Sequence, residues 1–280
     1  MEFYKYHSLG NDYLVYDIRK NREELDQEKI VRICSRNFGI GSDGIVAGPY
    51  EKEGEILVRV FNPDGTEAEQ GGNALRIFAH YLKTTGEIQK ETFSLCTKSG
   101  ISQIRYLNRE GNRIQMTMGK LNFSSKNLGL SGPDREAVHE FYNFGGEECD
   151  CTCVSSGNPH CVIVLEKTDR ETVCRIGKYS ERAECFPEGI NTEIVEVLDK
   201  NNIQIEIFER GAGYTLASAT GACAAAGAAY RRGLIDSDVM VHMPGGKLWT
   251  QIDEEWAVKT IGSVKRICKI QLFEDFFQGI

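Results

Sequence analysis

Residues 209–233 read ERGAGYTLASATGACAAAGAAYRRG. A Gly-rich turn leads into a segment made almost entirely of alanine and glycine, and two arginines follow where cations favour a helix C-terminus. We predict a helix over about 221–232 whose lack of side-chain bulk lets strands approach its backbone closely. Such a helix is expected to run through the centre of a barrel-like domain.

A second stretch, NPDGTEAEQGGNALR at 62–76, has the same character and leads into a predicted helix over 73–84. Each turn delivers free backbone N–H groups at a helix N-terminus, and such groups bind carboxylates. Two turns of this kind in one chain predict a clamp for an organic acid.

The helix predicted over 73–84 has apolar residues at helical spacing. Asn73 is expected to cap its start, and His80 to be exposed because it lies off the apolar stripe. That stripe, which is expected to be buried, consists of Leu75, Phe78, Ala79 and Leu82.

The rest of the chain alternates short strands with two further helices. Apolar spacing predicts those helices over 27–37 and 170–181. Runs of β-branched and aromatic residues bounded by turns predict strands near 3–7, 12–17, 44–48, 56–61, 92–96, 101–106, 113–118, 152–156, 160–165, 191–197, 203–208, 238–242, 247–252 and 256–260. The chain is therefore predicted to be mostly β.

The order of these elements repeats: strands, a Gly-rich turn, a small-residue helix and more strands. An internal repeat of this kind predicts two similar halves whose helix N-termini meet at a central cleft. The predicted fold class is α+β, with two pseudosymmetric barrel-like domains, each wrapped around a central helix. We place the first domain at 1–118 with 264–280, because the closing segment 266–277 is expected to return to it, and the second at 119–263.

Composition and charge exclude several classes of partner. The net charge of -8 comes from 41 acidic and 33 basic residues without a long basic run, which argues against nucleic acid. The chain has no stretch of about 18 apolar residues, and its N-terminus is polar where a signal peptide would be apolar. We therefore expect a cytoplasmic protein with neither a nucleic-acid nor a membrane partner.

No metal or organic cofactor is indicated. The ten cysteines are scattered without C-x-x-C spacing, and the glycines form neither a dinucleotide fingerprint nor a Walker loop. Cys149, Cys151 and Cys153 would lie on one face of a strand. We interpret them as small core residues, with a metal or redox site as the alternative.

Six motifs occur in order along nearly the whole chain: KYHSLGNDYLVYD at 5–17, GIGSDG at 39–44, NPDGTEAE with GGNALR at 62–76, SGNPHCV at 156–162, FPEGINTE at 186–193 and ERGAGYTLASATGACAA at 209–225. Together they resemble the successive motifs of the diaminopimelate epimerase family. The resemblance implies a cofactor-independent isomerase of amino acids, with two pseudosymmetric domains and an active site between them.

In that family two cysteines, one at the head of each central helix, work on opposite faces of the substrate's α-carbon. A thiolate removes the proton and a thiol returns one from the other side. Here Gly71 and Ser218 stand at the positions that resemble these cysteines, and Tyr214 stands where the family has a glutamate. If the motifs align in this way, two-thiol racemisation is excluded.

The positions that hold substrate in the family are mostly retained. By resemblance, the carboxylate of the non-reacting end would be held by Asn62, Asn158, Asn191 and Arg210, and its ammonium would lie near Glu209. The carboxylate of the reacting end would be bound by backbone N–H groups of Gly72, Asn73, Ala219 and Thr220, with Asn11 as a further contact. A guanidinium fork with amide donors also suits a carboxylate on physical grounds.

Each of these assignments has an alternative. An asparagine in a turn often satisfies its own backbone rather than a ligand. Glu67 and Glu69 are expected to be solvated turn residues, and Pro159 and His160 to fix the turn after Asn158.

Three side chains remain as candidates for the proton chemistry. A Ser218 alkoxide is not accessible near neutrality without an adjacent base. Asp43 is the nearest counterpart of a glutamate that acts as the single acid/base in the similar phenazine-biosynthesis isomerase family, although GIGSDG also occurs in the epimerases, which leaves a structural role open. Tyr214, with an ordinary pKa of about 10, is a better acid than base.

We interpret the chain as a cofactor-independent isomerase or epimerase of an amino acid or related small carboxylate, with a non-thiol acid/base. The alternative is a relative without catalysis that binds an amino acid as a sensor or accessory protein. A homodimer is expected, since dimers are the commonest soluble assembly.

Overall fold

The computed structural model describes residues 1–52, 54–68 and 71–278, which fall into two compact units. Unit 1 comprises Met1–Met116 with Gly262–Ile280, and unit 2 comprises Thr117–Ile261. The division into two domains at 1–118 with 264–280 and at 119–263 stays a prediction.

The described part of unit 1 contains the helices α1 (Gln27–Cys34) and α2 (Gly72–Thr84). Its strands are β1 (Glu2–Ser8), β2 (Asn11–Asp17), β3 (Ile45–Lys52), β4 (Glu55–Phe61), β5 (Thr92–Thr97) and β6 (Gly100–Tyr106), and the late strand β17 (Lys265–Gln271) also belongs to it. Strand β7 (Arg113–Lys120) begins in unit 1 and ends beyond its boundary at Met116. Strand β17 pairs with β1, so the closing segment returns to the first half as predicted.

Unit 2 contains the helices α3 (Arg170–Ser180) and α4 (Ala219–Arg231). Its strands are β8 (Glu140–Phe144), β9 (Glu147–Ser155), β10 (Pro159–Val164), β11 (Asn191–Asp199), β12 (Asn202–Glu209), β13 (Gly213–Thr215), β14 (Asp238–Met243), β15 (Gly246–Ile252) and β16 (Ala257–Ser263).

The two units repeat one strand order. Neighbouring strands run β17-β1-β2-β3-β4-β5-β6-β7 in unit 1 and β8-β9-β10-β11-β12-β14-β15-β16 in unit 2. In both series the pairings are antiparallel, antiparallel, parallel, antiparallel, parallel, antiparallel and antiparallel. Helix α2 connects the second parallel pair of unit 1, and α4 connects the second parallel pair of unit 2. The predicted α+β fold with two pseudosymmetric, β-rich halves is confirmed.

Helix α2 is buried around its circumference from Gly72 to Leu82. His80 is only 5% exposed, its Nδ1 lies 3.0 Å from the Gly111 carbonyl oxygen, and burial lowers the pKa of its imidazole. The predictions of a single buried stripe and an exposed His80 are therefore wrong, because the polar groups of this helix find partners inside the unit. The predicted cap is also wrong, since the N-cap is Gly71 and Asn73 lies inside the helix.

Helix α4 is buried from Ala219 to Ala229 and packs against β9, β10, β11, β12, β14 and β15. Its small residues allow this approach, as the sequence predicted. At Gly227, for example, a Cβ would lie 2.3 Å from a methyl carbon of Leu121. A side chain at this position would push the neighbouring segment away from the helix.

The three clustered cysteines lie on β9 and point into the core of unit 2. Cys153 lies opposite Cys161 of β10 in the sheet register. The neighbouring thiols of Cys151 and Cys153, together with burial, raise the pKa of Cys161 well above its ordinary value. The Cys161 thiol therefore stays protonated, and the three clustered cysteines pack as small core residues. In the described part of the chain, no group of three or more His, Cys, Asp or Glu residues is placed to hold a metal ion.

Two strands of unit 2, β8 and β13, were not predicted. Strand β8 has the sequence EFYNF, in which the exposed Phe141 breaks the alternation of apolar and polar residues, and β13 spans only three residues. Among residues 1–52, 54–68 and 71–278, no helix is both long and apolar enough to cross a membrane.

Replacing Gly177 of α3 with alanine tests the packing of this helix on β12. Alanine normally stabilises a helix interior by about 1 kcal/mol relative to glycine. Here a Cβ would lie 2.4 Å from the Phe208 ring, so we expect Gly177→Ala to destabilise the protein by roughly 1–3 kcal/mol. Urea denaturation measures the change, with Lys178→Ala on the exposed face of α3 as the control. Equal stability of the two variants would contradict this close packing.

Candidate functional site

The N-terminal end of α2, which we call its head, has no side-chain cap among the described residues. Gly71 occupies the N-cap with φ -153° and ψ 46°, and the first backbone bond of the helix runs from the Leu75 N–H to the Gly71 carbonyl. The N–H groups of the first turn, which include Gly72 and Asn73, have no partner within an α-helix. This end therefore presents backbone donors and the positive end of the helix dipole.

A chain of side-chain hydrogen bonds lies beside this head. The Asn73 amide donates to Asn11 Oδ1 at 3.1 Å, and the Asn11 amide donates to Asp43 Oδ2 at 2.9 Å. Arg76, which is fully buried, donates to Asn73 Oδ1 at 3.0 Å. The structure thus brings the predicted residues Asn11, Asp43 and Asn73 together within unit 1.

Asp43 is held by several donors at once. Its carboxylate accepts hydrogen bonds from Asn11, from the Asp12 backbone N–H at 3.0 Å and from Arg36 at 2.6 Å. Arg36 also pairs with Asp12, and Lys5 lies 2.9 Å from the second oxygen of Asp12. Asp43 is therefore tied into a network that fixes the loops before β2 and β3.

Asn62 turns its side chain into its own loop. Its amide donates to Thr66 Oγ1 at 3.0 Å, and the Asn62 N–H donates to the Thr66 carbonyl at 2.9 Å. In the same stretch, Glu67 pairs with Arg59 at 3.0 Å, and Glu69 lies outside the described residues. The substrate contact assigned to Asn62 stays a prediction.

The head of α4 differs from that of α2 because a side chain caps it. Ser218 is the N-cap, and its Oγ accepts a hydrogen bond from the Gly221 N–H at 3.2 Å. The same Oγ lies 3.3 Å from Thr220 Oγ1, and Ser156 donates to the Thr220 carbonyl at 3.0 Å. Ala219 and Thr220, both buried, carry the remaining N–H groups of this turn.

A buried polar pair lies on the two strands behind this turn. Glu193 of β11 and His160 of β10 have fully buried side chains, with His160 Nδ1 2.8 Å from Glu193 Oε1. His160 Nε2 lies 2.9 Å from Asn158 Oδ1. Glu193 was not predicted from the sequence as a site residue, and His160 was interpreted there as a turn residue.

The remaining substrate-holding positions of unit 2 lie at neighbouring strand ends. Asn191 at the start of β11 donates to the Pro159 carbonyl at 2.8 Å and accepts from the Arg210 N–H at 3.0 Å. The Arg210 guanidinium donates to the Glu188 carbonyl at 3.0 Å. Glu209 ends β12 directly before Arg210. The Asn191 side chain thus joins the residue after Asn158, Pro159, to the backbone of Arg210.

Tyr214 is anchored on β13. Its hydroxyl donates to Glu206 at 2.8 Å, and the Arg170 guanidinium lies 4.5 Å from the ring centre. Burial and the bond to Glu206 raise the pKa of Tyr214 to about 12. A phenol held in this way is a weak proton donor near neutral pH.

Most of the chain matches one known family of proteins. The sequence model described as diaminopimelate epimerase matches residues 3–124 and 152–267. The chain belongs to this family. It is 43% identical over 279 residues to "Diaminopimelate epimerase 2" of Nostoc sp. strain PCC 7120, and the match covers 99% of this chain and 97% of that protein.

Two solved structures are similar in fold to this diaminopimelate epimerase family member. One is a probable proline racemase from Agrobacterium radiobacter K84, with a TM-score of 0.75, 12% identity and coverage of 99% of this chain and 94% of that one. The other is a phenazine biosynthesis protein of the PhzF family from Bacillus anthracis, with a TM-score of 0.71, 14% identity and coverage of 98% and 99%. Membership of the family makes the chain an isomerase of the epimerase type. The correspondence of Gly71 and Ser218 to the two family cysteines stays a prediction.

The space beside Gly71 can be tested by substitution. A Cβ at this position would lie 2.9 Å and 3.2 Å from the two methyl carbons of Val60. We expect Gly71→Cys to destabilise the protein by about 1–3 kcal/mol, because Val60 is short, branched and buried and cannot turn away. In a double-mutant cycle with Val60→Ala, measured by urea denaturation, the combined cost should fall below the sum of the single costs. Strict additivity would show that the two positions do not compete for space.

The network around Asp12 predicts a dependence of stability on pH. Burial acts to raise the pKa of the Asp12 carboxyl, but bonds to Arg36 and Lys5 outweigh it, so the pKa lies below its ordinary value. Because the folded pKa is lowered, the stabilisation is complete above the unfolded pKa of about 3.9 and is lost as the pH falls through the folded value.

We expect Asp12→Asn to destabilise the protein by roughly 1–3 kcal/mol at pH 7. The difference in free energy of unfolding between Asp12→Asn and the wild type should stay constant down to about pH 5 and become smaller below about pH 4. Urea denaturation across this range measures it, with the exposed Glu110→Gln as the control. A gap that does not shrink in acid would show that the ionised carboxylate is not the stabilising species.

Proposed function

We propose that this family member moves a proton at the α-carbon of an amino acid or related small carboxylate with a single, non-thiol acid/base group. The observation that supports the proposal is the contrast between the two helix heads. Both present backbone N–H donors, but only the head of α4 carries a side chain, that of Ser218, at a position resembling a family cysteine.

The backbone donors suit the carboxylate next to the reacting carbon. At α2 the N-cap glycine supplies no competing oxygen, so the N–H groups of Gly72 and Asn73 are open to an anion. At α4 the N–H groups of Ala219 and Thr220 have the same role. Donors of this kind also stabilise the enolate charge that develops as the proton leaves.

The far end of the substrate is assigned to unit 2. Arg210 supplies a positive charge, and Asn191 holds the Arg210 backbone in place. The Asn158 side-chain NH₂ has no hydrogen-bond acceptor among the described residues, since its bond to His160 uses the oxygen. A charged and an amide donor together favour a substrate with a second carboxylate over one with an apolar side chain.

Of the three acid/base candidates, Ser218 fits best. The Asp43 carboxylate is committed to Asn11, Asp12 and Arg36, and using it as a base would break those bonds. Tyr214 is held by Glu206. Ser218 lies at the N-cap of α4, next to the proposed carboxylate donors.

A single acid/base returns the proton to the face from which it was taken. Racemisation at one carbon therefore needs either a second donor on the opposite face or release of the carbanion. The expected chemistry is hydrogen exchange with retention, or transfer of the proton to another carbon of the same substrate.

A binding protein without catalysis is the second candidate, and one observation favours it. Val60 packs where a side chain at Gly71 would lie, so the head of α2 has no space for an acid/base group. In this case the retained donors would hold an amino acid for regulation or for a partner enzyme.

The proposal is tested by incubating the protein with a panel of amino acids and dicarboxylic amino acids, diaminopimelate included, in heavy water. Proton NMR follows loss of the α-proton, and chiral chromatography separates retention from inversion. We expect exchange with retention, or a shifted proton, for at least one compound. Ser218→Ala should lower the rate by about 100-fold or more, whereas the exposed Ser131→Ala should not change it.

Other outcomes separate the alternatives. Binding in calorimetry without exchange would favour the sensor, and exchange with full inversion would overturn the single-base proposal. A homodimer and a cytoplasmic location stay predictions, and sedimentation velocity tests the first.

A further inference from the structure

One buried carboxylate of unit 2 is incompletely satisfied. The Glu193 side chain has no exposed surface, and its Oε2 has no hydrogen-bond partner among the described residues. Leaving a buried charged oxygen unpaired is costly, so such an oxygen needs a physical explanation. The proposed function alone does not account for this residue.

The position of Glu193 against α4 is unusually close. A Cβ on Gly221 would lie 2.6 Å from Glu193 Oε1 and 3.3 Å from Ser218 Oγ. The serine oxygen and the carboxylate therefore flank the same glycine in the first turn of the helix. Glycine at 221 keeps any side chain from separating them.

His160 fixes one oxygen of this carboxylate. Its Nδ1 lies 2.8 Å from Glu193 Oε1, and its Nε2 is held by Asn158 Oδ1 at 2.9 Å. The imidazole is thus fixed at both nitrogens, and it leaves Oε2 as the open position of the pair. Because Glu193 sits at the N-terminal end of α4, the helix dipole also stabilises its negative charge.

We propose that Glu193, held by His160, is a positioning residue that accepts and returns the proton of the Ser218 hydroxyl. This inference rests on the proposed function. It identifies Glu193 as the adjacent base that Ser218 needs in order to remove a proton. Ser218 is the residue that touches the substrate, and Glu193 acts through it.

Atoms and electrons balance in this proton transfer. The C–H bond of the substrate breaks, its electron pair stays on the carbon as an enolate, and the proton passes to Ser218 Oγ. The original hydroxyl proton moves to Glu193 Oε2 through one bridging water, because no direct hydrogen bond joins Ser218 Oγ to Glu193 in the described part of the chain. In the reverse direction the protonated Glu193 returns a proton to the serine oxygen, which delivers its own to carbon. No oxidant, reductant or cofactor takes part in these two steps.

A first experiment needs no natural substrate. Methanesulfonyl fluoride forms an O–S bond with a serine while the S–F bond breaks and fluoride leaves, and a nearby base must take the serine proton. We expect mass spectrometry to find the label on Ser218, with a rate about 100-fold lower in Glu193→Gln. Thr250→Val, which removes a buried hydroxyl from β15 of the same unit, is the control and should label like the wild type.

Glu193→Gln keeps the shape of the side chain, and circular dichroism with thermal unfolding checks that it folds. The proposed proton transfer between Ser218 and Glu193 would be overturned if Glu193→Gln labelled at Ser218 as fast as the wild type. It would also be overturned if the wild type were not labelled.

A second experiment measures hydrogen exchange with any substrate that the amino-acid panel identifies. Glu193→Gln should lower kcat with little change in KM, because Glu193 does not touch the substrate. A change in KM alone would assign the residue a structural role instead. The wild type could exchange hydrogen with no compound of the panel while the labelling of Ser218 still depends on Glu193. In that case the proposed function fails, but the proton transfer between Ser218 and Glu193 is supported.

Discussion

The close approach of strands to a helix that lacks side-chain bulk is the constraint on which unit 2 depends. Helix α4 is buried from Ala219 to Ala229, and strands contact it along its length. Only small residues permit this, because a Cβ at Gly221 or Gly227 would lie within 2.6 Å of a neighbouring side chain. The same packing that builds the core brings a strand carboxylate against the first turn of the helix. The packing of the core of unit 2 therefore also determines where the Glu193 carboxylate lies relative to the first turn of α4.

Unit 1 uses the same topology with a different chemical result. Its helix α2 carries large side chains and a fully buried arginine, and its head ends in glycine with Val60 against it. Side-chain hydrogen bonds there run from Asn73 to Asn11 and on to Asp43, and all of them lie within the unit. The internal repeat thus places a small-residue turn at the N-terminus of both helices, but a side-chain hydroxyl caps only one of them, α4.

Much of the fold was predictable because its signals are local. The alanine and glycine run, the strand alternation and the repeat each depend on near neighbours, and the helix bounds agree to within a few residues. His80 was misplaced because its burial depends on strands distant in sequence. Glu193 was missed for a similar reason: in the strand NTEIVEV a carboxylate normally indicates a solvated face. Its full burial, its bond to His160 and its approach to Gly221 are tertiary features that distinguish it from Glu196 of the same strand.

The chemistry expected at the head of α4 depends on how easily a serine hydroxyl loses its proton compared with a thiol. A thiol at a helix N-terminus ionises near neutral pH, so it acts as a base without a partner. A serine hydroxyl does not, and it removes a proton only if its own proton has somewhere to go. An oxygen such as Glu193 Oε2, which has no partner in the described chain, can receive that proton without breaking an existing hydrogen bond. In the proposed mechanism, the base is therefore not the residue at the helix N-terminus but Glu193 behind it, which the substrate does not reach.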